Sequence, residues 1–167
     1  MLTHSPLWPI APRPFDDEAF GSWFGRVAAK YGISVLELAE SAGVGIDVGE
    51  SGSTWLGAAV PGTSAVRRLA HLCRMPAVEL RRLRPKASEG LTKRFYYCYR
   101  CLYLNPADVT APYWKAQWLS ESGGPCLLHA KSGNWLTPSH LKNHPNMRRL
   151  LRFISRKRYT VEWAAAS

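Results

Sequence analysis

Two short ligand pairs carry the chemistry open to this chain: Cys98-Tyr-Arg-Cys101 and, after 24 intervening residues, Cys126-Leu-Leu-His129. In each pair two residues separate the ligands, which lets both side chains of a knuckle face one ion. Tetrahedral zinc asks for such a set, with Zn–S about 2.3 Å and Zn–N about 2.0–2.1 Å. Four protein ligands leave no open position, so the expected cofactor is one structural Zn2+ that activates no water. Ordinary buried thiols or a disulfide are the competing accounts. The opening Met1-Leu-Thr-His-Ser-Pro-Leu-Trp-Pro9 lacks the basic and apolar regions of a secretory signal. A cytoplasmic location is therefore expected, and reduced thiols there favour zinc over a disulfide. Cys73 stands apart, in a helical apolar pattern with Leu69 and Leu72, and reads as a small core residue. Its neighbour His71 is a candidate spare ligand but reads better as a surface or satisfied histidine.

Charge points to the partners. The net charge is +10. Residues 1–66 hold three Lys/Arg against seven Asp/Glu, giving −4, whereas residues 67–167 hold nineteen against five, giving +14. A concentrated positive surface suits phosphate contacts with nucleic acid, although a merely solvated basic face has the same composition. No apolar run approaches the length of a membrane span. At 167 residues the chain suits one compact domain or two small ones, and seven Trp, seven Tyr and five Phe supply core material.

The elements that must position these groups read as helices. After a Pro-rich lead, Asp16 is the expected N-cap of a first helix, with Asp17 and Glu18 in its first turn. Phe20, Trp23, Phe24, Val27 and Tyr31 recur at helical spacing, and Gly32 ends the run. Ser34-Val-Leu-Glu37 is a capping box opening a second helix that stops at Gly43. Together they form a helix-turn-helix pattern. The six glycines of residues 43–62 predict a loop, with a turn near Trp55-Leu56. A second pair starts at Thr63 or Ser64, turns at Arg74-Met75 and resumes with Pro76 at its first position. Residues 85–94 read as a linker. Phe95-Tyr-Tyr97 suits a short strand leading into the first knuckle. Tyr113, Trp114 and Trp118 lie at helical spacing and read as core. Met147, Leu150, Leu151 and Ile154 form the apolar stripe of a basic amphipathic helix. The expected fold is mainly α: a helical N-terminal domain of two helix-turn-helix-like pairs (1–90), then a zinc-finger domain with a basic C-terminal helix (91–167).

Several enzyme classes are disfavoured. The sequence has no Gly-rich phosphate loop and no His-Glu-x-x-His. The carboxylates of the basic half are Glu79, Glu89, Asp108, Glu121 and Glu162, too few and scattered for a two-metal nuclease. A zinc deaminase needs its Cys-x-x-Cys after a ligand-x-Glu segment, and here that pair comes first. A zinc enzyme is the least favoured reading.

Taken in order, these pieces resemble the TniQ/TnsD family of transposon target-selection proteins, in its short TniQ form. The segment from Pro12 through Asp17, Glu18, Ser22 and Trp23 to Arg26 is similar to the family's opening signature. Cys98-x-x-Cys101-Leu102, Trp118 and Cys126-x-x-His129 resemble its zinc motif. The likeness spans roughly residues 8–136. It implies a non-enzymatic adaptor that links a target-site recognition complex, in some systems an RNA-guided CRISPR effector with its RNA, to a AAA+ ATPase regulator and the transposase. Tyr99 stands where the family usually has Pro. The second Cys-x-x-Cys of many members is missing, because residues 130–167 contain no Cys. His140 and His144, without cysteine partners, read as non-ligands.

The acidic first pair is expected to dock protein, through Trp23 and Arg26 on its first helix and Glu37 and Glu40 on its second. Phosphates would repel Glu37 and Glu40. Nucleic acid is expected at Arg67, Arg68, Arg81, Arg82 and Arg84, and at Arg148, Arg149, Arg152, Arg156, Lys157 and Arg158. DNA is a partner under this reading, no membrane is, and the sequence is compatible with a homodimer. The alternative function is a small helix-turn-helix and zinc-finger DNA-binding regulator.

Overall fold

The structure, a computed structural model, describes residues 7–46, 54–83, 94–103, 111–119, 126, 128, 129 and 134–165, with side chains as far as Lys157. Its organising element is α1 (Phe20–Tyr31), in which every residue from Phe20 to Ala29 is buried. Phe20, Trp23, Phe24 and Val27 follow the expected spacing, and each large aromatic so buried is worth roughly 1.5–3 kcal/mol or more. The other face of α1 is made small for a reason. A Cβ on Gly21 would sit 2.2 Å from the Trp55 carbonyl oxygen, and one on Gly25 would sit 2.5 Å from the Trp55 ring. The 3-10 turn Trp55–Gly57 lies directly on that face. The turn near Trp55-Leu56 is thus where the sequence suggests, but it is part of the core, and residues 47–53 of the glycine-rich stretch lie outside the described residues.

α1 ends at Gly32 and α2 (Val35–Ala42) ends at Gly43, both in the left-handed conformation that favours glycine. The α2 capping box is complete: Glu37 N donates to Ser34 Oγ and Ser34 N donates to the Glu37 carboxylate. The second pair is α3 (Thr63–Leu72) and α4 (Ala77–Arg81), joined through Arg74 at φ 52°. Pro76 is the residue before α4, one position earlier than expected.

The start of α1 differs from the expected one. Asp16 does not cap it; Ala19 precedes the first helical residue and offers no capping side chain. Asp17 and Glu18 are committed elsewhere. Asp17 pairs with Lys115 at 2.7 Å and accepts from Tyr113 Oη at 2.7 Å, so tertiary partners outcompete the helix terminus.

β1 (Phe95–Tyr97) and β2 (Asn134–Leu136) form an antiparallel pair in register Phe95 with Leu136 and Tyr97 with Asn134. Between them in sequence come α5 (Tyr99–Tyr103) and a 3-10 turn at Ala116–Leu119. Tyr113 and Trp114 precede that turn and are not helical. α6 (Pro138–Asn143) and α7 (Met147–Ala165) close the chain. Asn146 accepts from Arg149 N in an N-cap geometry and donates to the Ile33 carbonyl, which pins the start of α7 to the α1–α2 turn.

The expected domain boundary at 90/91 and the expected linker 85–94, apart from Arg94, lie outside the described residues. On either side of them, side chains join one hydrophobic core: α1 packs on α7, Ala19 N donates to the Trp114 carbonyl, and Phe95 meets Gly57. Among the described residues no helix is long and apolar enough to cross a membrane.

Candidate metal centre and basic surfaces

The end of β1 and the first turn of α5 present Cys98 and Cys101; a tight turn, in which His129 N donates to the Cys126 carbonyl at 3.1 Å, presents Cys126 and His129. Their four ligand atoms lie within 4.8 Å of one another. Cys98 Sγ is 3.4 Å from His129 Nδ1, Cys101 Sγ is 3.3 Å from the same nitrogen and 3.5 Å from Cys126 Sγ, and Cys126 Sγ is 3.6 Å from it. A tetrahedron with the bond lengths of zinc has edges of roughly 3.5–3.8 Å. The side chains present could therefore hold a single tetrahedral ion, to which His129 would offer Nδ1, the ring nitrogen nearest the three sulfurs.

Charge chemistry agrees. Burial, then hydrogen bonds to Cys126 and Cys98, push the Cys101 thiol up to about 12. Burial also opposes ionisation of Cys126, but hydrogen bonds with His129 and Cys101 outweigh it and hold that thiol at about 6. Several thiolates cannot gather here without a cation, and a dication is what such a cluster accommodates. Cys73 is different: it is buried among α3 and its neighbours, and desolvation raises it to about 12, as for an inert core thiol. His140 and His144 lie in another place, where the His144 ring stacks on Phe153 at a centroid distance of 4.5 Å and the His140 ring packs tilted against it at 5.0 Å.

Behind the clasp stands an aromatic wall. Tyr97, the residue before Cys98, packs on Trp114 at 5.2 Å, and Trp114 meets Trp118 edge-on at 5.7 Å. Trp114 and Trp118 are buried, so their rings are core and unavailable to bases.

Two residues expected on a partner surface are inside the molecule. Trp23 has no exposure, and its indole donates to the Pro12 carbonyl at 2.8 Å. Arg26 is 7% exposed and forms a 2.7 Å ion pair with the fully enclosed Glu18 carboxylate. Neither side chain is open to direct partner contact, contrary to the expectation for both. Arg26 also donates to the Arg13 carbonyl and lies 4.8 Å over the Phe15 ring, while Ser22 Oγ donates to Glu18 and accepts from Trp114 N. The stretch resembling a family signature is a structural knot that ties the Pro-rich lead to α1 and to the metal-centre half. Sequence reasoning missed it by assigning the acids to capping. The signal was present: Glu18, Ser22 and Arg26 recur every fourth residue, a carboxylate, hydroxyl and guanidinium in one row.

The remaining site residues are on the surface. Arg67, Arg68, Arg81, Arg82, Arg148, Arg149, Arg152, Arg156 and Lys157 are exposed; Arg84 and the side chain of Arg158 lie outside the described residues. Glu37 and Glu40 are exposed on α2, and a hydrogen bond from the Ser34 backbone holds the Glu37 carboxyl below its usual range.

Among the described residues, a helical core carries a four-residue Cys/His cluster that could hold one metal ion, with exposed arginines on α3, α4 and α7. The TniQ family model matches residues 9–131, and the chain belongs to the TniQ family. That family serves target selection in transposition. No curated protein and no solved structure matches the chain.

Proposed function

We propose that this protein is a non-enzymatic target-selection adaptor that couples a target-site recognition complex to a AAA+ ATPase regulator and its transposase. The family match over residues 9–131 carries the reading. In this role Cys98, Cys101, Cys126 and His129 hold one structural Zn2+, since three soft thiolates and an imidazole suit zinc and leave no position for water. Exposed Glu37 and Glu40 on α2 suit a protein contact, and the exposed arginines of α3, α4 and α7 suit phosphates. An RNA-guided effector is one recognition complex that this surface charge would serve.

The test is binding of the purified protein to random and candidate-target duplexes, with and without its AAA+ ATPase. An adaptor binds DNA weakly and without sequence preference, loses that binding steeply between low and moderate salt, and assembles on DNA only with the ATPase. Preference for one short duplex by about a thousandfold or more, by the protein alone, would instead establish the small regulator.

A further inference from the structure

The strongest unassigned feature is a cavity of about 400 Å³ between α1 and α7. Its floor is apolar. Ala29 comes from α1, Met147 and Leu151 from α7, and Pro112 from the segment before the aromatic wall. Its rim is cationic: Lys30 in the last turn of α1, and Arg148 and Arg152 one helical turn apart on α7. Among the described residues no carboxylate lines it. Arg26, at one end, is already neutralised by Glu18 and rigidly placed.

From this we infer that the α1–α7 groove is the docking site for an acidic amphipathic segment of a protein partner. The inference rests on the adaptor reading and supplies it with a surface. An apolar centre within a charged rim is the anatomy of a protein interface, and two helices flanking a groove are the usual receptor for a helix with its apolar face inward. The volume admits a few apolar side chains, and the three free-standing rim cations match carboxylates flanking them. Nucleic acid fits the groove less well. Base stacking needs an open aromatic face. Among the described lining residues the one aromatic, Tyr103, is stacked on Tyr99 at 4.8 Å and its hydroxyl donates to the Leu151 carbonyl. Arg149 projects from α7 about 100° around the helix from Arg148, at the helical repeat of 3.6 residues, and neither it nor Arg156, one turn beyond Arg152, is among the lining residues. α7 therefore carries cations outside the groove as well as on its rim, and those outside remain for phosphates.

The experiment pans the full zinc-loaded chain against a displayed library of helical peptides. Enriched peptides are then measured against four proteins: wild type, Arg148→Glu/Arg152→Glu, Ser155→Trp and Arg149→Glu/Arg156→Glu. Ser155 lines the groove and is half-buried, so a Trp there fills it without altering charge. Expected are peptides with acidic residues around apolar ones spaced i, i+4, whose affinity falls at least about tenfold in the first two variants and little in the third. Circular dichroism and melting confirm that each variant is folded. The inference is overturned if no acidic amphipathic peptide is enriched, if enriched peptides bind Ser155→Trp as well as wild type, or if the groove variants weaken duplex DNA instead. Loss of peptide binding with undiminished transposition sinks the groove alone; a wild-type chain that never supports transposition sinks the adaptor reading.

Discussion

At Glu18 a carboxylate with 1% exposure meets four donors: the Phe15 amide, Ser22 Oγ and two guanidinium nitrogens of Arg26. A charge so enclosed is tolerable only while paired, and removal of one partner strands the other. Arg26→Ala should cost about 3–5 kcal/mol in urea unfolding. The double variant Glu18→Gln/Arg26→Gln should cost less than the sum of the single losses; strictly additive losses would show that the two groups do not act as a pair. The four candidate metal ligands differ in kind. Cys101→Ser should abolish stoichiometric zinc by elemental analysis, whereas Cys73→Ser should leave zinc intact and lower stability only modestly. Equal zinc in wild type and Cys101→Ser would dissolve the proposed clasp.

Among the elements, α1 is the one that tolerates least. Gly21→Ala places a methyl against the backbone of Trp55 and Leu56, which cannot swing aside like a side chain end. Helix propensity gains roughly 1 kcal/mol from Gly to Ala, but overpacking costs about 1–3 kcal/mol or more. The net should be a lower melting temperature, and a rise would mean that the Trp55 turn is not seated on α1. α2 is a milder case: Ser34→Ala removes one half of its capping box and should cost about 1 kcal/mol. In α7 the core row Met147, Leu150 and Ile154 is separate from the exposed arginines, so charge reversal at Arg149 and Arg156 should reduce DNA binding and its salt dependence without shifting the melting temperature.

For the molecule as a whole, the clasp joins β1, α5 and the Cys126–His129 turn to the common core. A structural zinc site supplies on the order of 10 kcal/mol of folding free energy, so a chelator should melt the metal-centre half in circular dichroism; an unchanged spectrum after complete zinc removal would refute a structural role. Acid should also destabilise the fold. Burial, with Lys157 near His140 and with His140 and Arg149 near His144, holds both imidazoles below their ordinary value of 6.5. A depressed folded value means that the unfolded chain binds the proton first. Their contribution is therefore complete above about 6.5 and is lost as pH falls through the folded values. Thiol protonation acts in the same direction, so the histidine share is read as the part of the acid loss removed by His140→Gln/His144→Gln.

The sequence by itself determined the candidate Cys/His set, the local helices and several of their caps, because these depend on short-range spacing in the chain. The Cys98–His129 spacing, the Ser34–Glu37 box and the glycines at 32 and 43 are of this kind. Only the tertiary structure decided which groups are spent inside. Asp16 lost its expected capping role where Asp17 paired with distant Lys115 and Tyr113 and Glu18 with Ser22 and Arg26 of α1, and Trp23 and Arg26 left the partner surface because Pro12, Arg13 and Glu18 close over them. The α1–α7 groove was equally invisible, since Lys30 and Arg148 are far apart in sequence and meet only through the packing of one helix on another. Burial is a property of the assembled core, and a linear pattern reports a residue's chemistry without reporting what will cover it.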